Sequence, residues 1–181
     1  MISLSFCFAH SSKEKTKHSI AILTCMITSE QNGKAITIKK TFSRETSVSI
    51  EIHADPTIIW MLLTNAADYP RWNSTIISIE GAITLGGKIK LKSTLDPKRV
   101  FKLKVKEAEP DKKLVWGDGQ GNRVYTITKN RANIHIFSMT EKIGSPLFPL
   151  YAKYIPSFDS SFQQFARDLK QEAEIIQNSK R

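Results

Sequence analysis

The chain has 181 residues, 40% of them hydrophobic and 24% charged, with a formal net charge of +10 and a pI near 9.6. That length suits one domain with a real core, and no apolar run approaches the roughly 20 residues of a membrane-spanning helix. Cys7 and Cys25 both lie near the N-terminus, and His10, His18, His53 and His135 are scattered singly. Neither a disulfide framework nor a metal-ligand spacing is therefore available to the core, and no metal or cofactor is expected. The basic balance favours anionic partners (nucleic acid, an acidic membrane surface or an acidic ligand) without selecting one.

Residues 1–25 differ in character from the rest of the chain. Ser11–His18 is polar and basic, and Ile20–Ile27 is a short apolar run. A signal peptide has that order, but Thr24 interrupts the run and no small-x-small cleavage site comes after it. Residues 1–25 are read as a disordered or mis-annotated N-terminal extension, the latter with translation starting at Met26. A cytoplasmic location is expected, with secretion left open by residues 1–27. Residues 26–44 form a lead-in, in which Ala35–Phe42 is either a first short strand or a connection. The domain proper is expected over 45–177, with a tail at 178–181.

Thr46–His53 alternates apolar and polar residues, the pattern of a half-buried strand. Asp55-Pro56 then opens a short apolar helix to Asn65, with Asp55 as the cap and Pro56 at the first helical position. Next comes an aromatic turn, Asp68–Asn73. Ser74–Glu80, Ala82–Leu85, Lys88–Lys92, Phe101–Lys106, Leu114–Trp116, Arg123–Thr128 and Ile134–Lys142 are β-rich, separated by Gly81, Gly86-Gly87, Asp96-Pro97, Glu109-Pro110-Asp111 and Gly117–Asn122. Leu147–Ile155 suggests one or two helical turns. From Phe158 the period becomes helical: Phe158, Phe162, Phe165, Leu169, Ala173 and Ile176 form one apolar stripe. About six consecutive strands with short links imply an antiparallel meander. One long helix covering one face makes the fold α+β. Such an arrangement encloses an apolar concavity of the kind that holds small ligands.

Several phrases carry a family resemblance. Ile50-Glu51-Ile52-His53-Ala54-Asp55-Pro56 with Trp60 is similar to an opening I-x-A-P-x-x-x-V-W phrase, and Asp68-Tyr69-Pro70-Arg71-Trp72-Asn73 to a D-x-x-x-Y-P-x-W-N-P phrase. Glu109–Trp116 and Leu169–Glu174 fit later landmarks. Over roughly residues 45–177 the chain resembles the SRPBCC superfamily, also called START-like or birch-pollen-allergen-like, and within it the polyketide cyclase/dehydrase branch. The resemblance implies a helix-grip fold, a curved antiparallel sheet wrapped around a long C-terminal helix. It also implies a deep apolar cavity that takes lipids, sterols, polyketides or hormones. Two departures stand out: Ser74 replaces the usual proline after Trp72-Asn73, and the turn before Arg123 is short.

The leading expectation is a binding protein for a small hydrophobic molecule. Phe158, Phe162 and Phe165 would form the helix wall. Trp60, Tyr69, Trp72, Asn73, Trp116, Tyr125, His135 and Phe137 would supply the sheet side and rim. One alternative is a cyclase/dehydrase-type enzyme, for which His135, Tyr125 and Glu141 are the acid/base candidates. No nucleophile–base order, phosphate loop or carboxylate pair accompanies them. The alternation of His135 with its neighbours leaves its facing open. The other alternative is an interaction module docking through Lys88, Lys90, Lys92, Lys102, Lys104 and Lys106, expected side by side on an outward sheet face. That face is compatible with an anionic membrane surface, but it lacks interleaved aromatics, which disfavours single-stranded nucleic acid. The inward faces are expected to carry no lysine or arginine.

Overall fold

The computed structural model describes residues 32–131 and 134–180; the expectations for residues 1–31 lie outside them. Strand β1 (Ile36–Lys40) forms a hairpin with β2 (Ser43–Ile52). The chain then makes helix α1 (Pro56–Thr64), a 3-10 turn (Ala66–Asp68) and the short helix α2 (Tyr69–Trp72). Six strands come next: β3 (Ile76–Glu80), β4 (Lys88–Ser93), β5 (Asp96–Glu109), β6 (Lys113–Gly117), β7 (Gly121–Arg131) and β8 (Ile134–Gly144). A helical turn, α3 (Phe148–Tyr151), extended by a 3-10 turn (Ala152–Tyr154), leads to the long helix α4 (Asp159–Ser179).

All eight strands form one antiparallel sheet in the order β1-β2-β8-β7-β6-β5-β4-β3. Short links generate β3 to β8 as a meander, because neighbouring antiparallel strands need only a turn between them. The long-range pairing of β2 with β8, from Ser43 opposite Gly144 to Ile52 opposite His135, joins the first hairpin to that meander. Residues 36–40 thus take the strand alternative. Two local expectations are corrected. Ala82–Leu85 is not a strand, because Gly81 turns the chain at φ +101° and Gly86 and Gly87 hang the segment on the backbone of Val105. Asp96-Pro97 is not the turn but the start of β5. Asp96 stands opposite Ser93, and proline is tolerated at a strand's first residues.

Local chemistry accounts for the connections. The Asp55 carboxylate accepts the Thr57 amide at 2.9 Å, capping α1 one residue before Pro56. Buried Ile58, Ile59, Leu62 and Leu63 press α1 onto the sheet and α4. The α4 stripe of Phe162, Phe165, Ala166, Leu169 and Ala173 lies against the concave face. Burying those side chains supplies roughly 1.5–3 kcal/mol for each large one. Ser74 explains one departure from the family phrase. Its N–H and its hydroxyl both donate to Asp168 of α4, at 2.8 and 2.7 Å, and a proline there could supply neither.

Candidate functional site

The inward face of the sheet can be read as rows running across neighbouring strands. One row joins Val48, Met139, Tyr125 and Leu114; the next joins Thr46, Glu141, Arg123 and Trp116. The first is apolar apart from one phenol. The second carries a charge pair. Between these rows and α4 lies a cavity of about 380 Å³. The exposed residues Arg99, Asp118, Gln120, Tyr154 and Pro156 surround its opening. Leu91, Phe101, Leu103, Trp116, Met139 and Ile143 line it from the sheet. Phe158, Phe162 and Phe165 line it from the helix, and Tyr151 and Ile155 from the segment before the helix.

The expected site residues separate into two groups. Trp116, Phe158, Phe162, Phe165 and Glu141 are on the cavity wall. The others are not, and each is engaged elsewhere. Trp60 is half-buried on α1, where its carbonyl accepts the Thr64 hydroxyl. The Tyr69 hydroxyl donates to the carbonyl of Leu63 at 2.8 Å. Asn73 accepts from both the amide and the hydroxyl of Thr75, which fixes the turn after α2. His135 faces inward at the far end of β8, with Nδ1 2.9 Å from the carbonyl of Ala54; it is a clasp between β8 and the start of α1. Trp72, Tyr125 and Phe137 pack around Phe165, with ring centroids 5.8 to 6.3 Å away. With Tyr69 they fill the end of the sheet–helix space nearest α1 and α2. The cavity is what remains at the other end.

The expectation that inward faces carry no arginine is corrected twice. Arg123 donates through Nε to Glu141 at 2.5 Å and through a second guanidinium nitrogen to the same carboxylate. Its guanidinium lies 5.2 Å from the centroid of the Phe162 ring. Burial alone would lower the Arg123 pKa. The adjacent Glu141 carboxylate more than offsets this and holds the guanidinium firmly charged. Arg44 is the second case. It donates to the carbonyls of Ile155 and Pro156 at 3.1 and 2.7 Å and covers the Phe158 ring at 4.6 Å. Phe158 and Phe162 are stacked with an interplanar angle of 8°, so the helix wall is a pair of rings capped by a guanidinium at each end. Alternation could have found both arginines: Arg123 shares its face with Tyr125 and Ile127, and Arg44 shares its face with Thr46 and Val48.

Among the described residues, two buried polar atoms lack a hydrogen-bond partner, the Trp72 indole nitrogen and the Tyr125 hydroxyl. The Tyr125 phenol lies beside Arg123 without a hydrogen bond of ordinary geometry. Burial raises its pKa well above that of a free phenol, and the neighbouring guanidinium only partly opposes that. Among the described residues no group of three or more His, Cys, Asp or Glu side chains is placed to hold a metal ion, and no helix is long and apolar enough to cross a membrane. Lys88 stands opposite Lys104 and Lys90 opposite Lys102 on the outward face, the expected side-by-side arrangement.

No family model matches the sequence, and no curated protein is significantly similar to it. Solved structures do match the fold. A START superfamily protein from Mycobacterium smegmatis is 13% identical, with a TM-score of 0.54, over 73% of this chain and 98% of that one. Norcoclaurine synthase from Thalictrum flavum, a point mutant in complex with a transition-state analogue, is 11% identical with a TM-score of 0.57, over 77% and 99%. A conserved protein of unknown function from Enterococcus faecalis is 14% identical with a TM-score of 0.58, over 81% of each chain. The fold is therefore of the SRPBCC type, a START-like helix grip.

Proposed function

We propose that the protein binds a small, mainly apolar molecule between the sheet and α4, with Arg123 and Glu141 receiving its one polar group. The observation that carries this reading is the composition of the inner cavity wall, which is mostly aliphatic and aromatic around the Arg123–Glu141 ion pair, with further polar residues such as Arg99, Asp118 and Gln120 towards the opening. About 380 Å³ falls within the range of small-molecule sites. Arg123 spends its charge on Glu141 and Arg99 stands at the exposed opening, so a multiply charged ligand held deep in the cavity would lack counter-charges there, and desolvating it would cost several kcal/mol per ion. A hydroxyl or carbonyl fits better. The guanidinium can donate to it, and a free carboxylate lone pair can accept from it. Trp116, Phe158, Phe162 and Phe165 would contact the apolar body, with a lipid, sterol or polyketide-like shape as the ligand class.

An apolar fluorescent probe should bind and be displaced by fatty acids, sterols or aromatic polyketides, but not by nucleotides or sugar phosphates. Saturable displacement by a nucleotide at physiological salt would overturn the reading. The cyclase/dehydrase alternative has one observation in its favour, a carboxylate and a guanidinium facing an apolar cavity. Turnover of candidate polyketides, lost in Glu141→Gln, would select it over simple binding.

A further inference from the structure

Three of the largest exposed apolar side chains of the described residues fall within one stretch of eight residues. Leu147, Leu150 and Tyr154 are 65%, 71% and 75% exposed. This stretch is not loose. Phe148 is buried and stacks edge-on against Tyr151, and the Tyr151 hydroxyl bonds to Ser145 at 2.8 Å. Its far end is held by the two hydrogen bonds from Arg44 to the carbonyls of Ile155 and Pro156. Leu147 and Leu150, three residues apart, share the outer side of the helical turn away from buried Phe148, while Tyr154 stands beside Tyr151 at the cavity opening. Anchored below, the turn projects its apolar residues into water. Its inner side is cavity wall, where Tyr151 and Ile155 line the cavity, and exposed Tyr154 stands at the rim of the opening.

The surroundings are basic. The amide of Ser145 donates to the carbonyl of Phe42, so the β1–β2 turn adjoins the stretch and adds the exposed ring of Phe42 beside exposed Lys39 and Lys40. Lys153 lies over the Tyr154 ring at 4.9 Å. Two carboxylates lie nearby and keep their charge, Asp118 accepting the amides of Gln120 and Gly121 and Asp159 accepting from Thr37 and Ser157, so the three lysines leave a small positive excess. Isolated aliphatic tips, a tyrosine and flanking lysines form the chemistry of a bilayer interface. There the apolar groups enter the acyl boundary and lysines meet anionic headgroups.

We propose that this rim of the cavity is a docking surface for an anionic lipid bilayer. Leu147, Leu150 and Tyr154 enter the interface, while Lys39, Lys40 and Lys153 contact the headgroups. Docking would set the cavity opening against the membrane, so that an apolar molecule could pass between the two without crossing water. The docking itself needs no particular ligand in the cavity.

The test is flotation of the full chain with vesicles of phosphatidylcholine alone and of phosphatidylcholine mixed with phosphatidylserine, at low and physiological salt. Binding to the mixed vesicles is expected. The double variant Leu147→Ser/Leu150→Ser should weaken it by roughly tenfold or more. Lys39→Gln, Lys40→Gln and Lys153→Gln should each weaken it by roughly fivefold. Leu147 and Leu150 do not line the cavity, so their double variant should still bind the apolar probe, separating a failure of docking from a failure of ligand binding. Lys88→Gln/Lys90→Gln, on the outward sheet face, should leave flotation unchanged. Failure of the full chain to float with the mixed vesicles would overturn the proposal. So would binding that the leucine changes leave intact, or binding that is abolished by the Lys88/Lys90 change or by competing polyanionic nucleic acid with no effect of the leucines.

Discussion

Arg123 and Glu141 are direct partners across the β7–β8 ladder and form an ion pair inside the cavity, with side chains only 20% and 17% exposed. Removing one partner leaves the other as a shielded charge without compensation, whereas removing both leaves an apolar wall. Glu141→Gln and Arg123→Met should each destabilise by roughly 2–4 kcal/mol, below the cost of breaking a fully buried pair. The double variant Arg123→Met/Glu141→Leu should be closer to the parent than either single change. Urea unfolding of the four proteins measures this as a double-mutant cycle. Simple additivity would mean that the pair is solvated.

The two buried tyrosines should respond in opposite ways to loss of the hydroxyl. Tyr69 donates to a buried carbonyl, so Tyr69→Phe strands an acceptor and should cost about 1–2 kcal/mol. The Tyr125 hydroxyl has no partner to lose, so Tyr125→Phe should lie within about 0.5 kcal/mol of the parent or stabilise it. Thermal unfolding of both variants checks the sign. A clear loss for Tyr125→Phe would mean that a water or ligand satisfies that hydroxyl.

The fold is legible in the sequence because its signals are periodic and local. Alternation in β2, β4 and residues 101–106 of β5, the Asp55-Pro56 helix start and the three-and-four stripe of α4 each reflect one element's own burial. The site is legible only in part. Phe158, Phe162 and Trp116 stand out as large aromatics, but size does not distinguish wall from filling: Tyr69, Trp72, Tyr125 and Phe137 are as aromatic and lie in the packed end. Which end stays open depends on where α1 and α2 press, a tertiary fact. Alternation puts Arg44 and Arg123 on inward registers, but a second obstacle hides them. A charge on an inward register is discounted unless its partner is known, and their partners lie 111 and 18 residues away.

The Arg71 guanidinium bridges Asp68 and Glu172, at 2.7 and 2.6 Å, tying the turn before α2 to α4. The hydrogen bond from Arg71 holds the Asp68 carboxyl below the usual carboxylate pKa. A group depressed in the folded state contributes stability that is present above its unfolded pKa, about 3.9 for Asp, and lost as pH falls through the lower folded value. Arg71 is half exposed, so the contribution should stay below about 1 kcal/mol and shrink with salt. Asp68→Asn should therefore cost little at neutral pH and flatten the acid limb of the stability curve below about pH 4. Denaturant midpoints across that range decide it. An unchanged acid limb would show that the bridge is not formed in solution.

The phenylalanines of α4 should differ in cost according to what surrounds each. Phe165 sits among Tyr69, Trp72, Tyr125 and Phe137, with centroids 5.8 to 6.3 Å away on several sides, so its removal leaves a hole that rigid aromatic neighbours cannot close. Both rings touch the cavity, but Phe158 stacks only on Phe162 and under Arg44, so it has fewer packing partners to lose. Phe165→Ala should cost about 3–5 kcal/mol and Phe158→Ala about half of that. Urea unfolding without ligand gives both values. A saturating apolar probe should raise both costs, because both rings line the cavity and truncating either weakens probe binding and removes part of the probe's own stabilisation of the folded state. Equal, core-sized losses at Phe158, Phe162 and Phe165 would mean that the space beside α4 is filled, and both the cavity and the ligand reading would fall together.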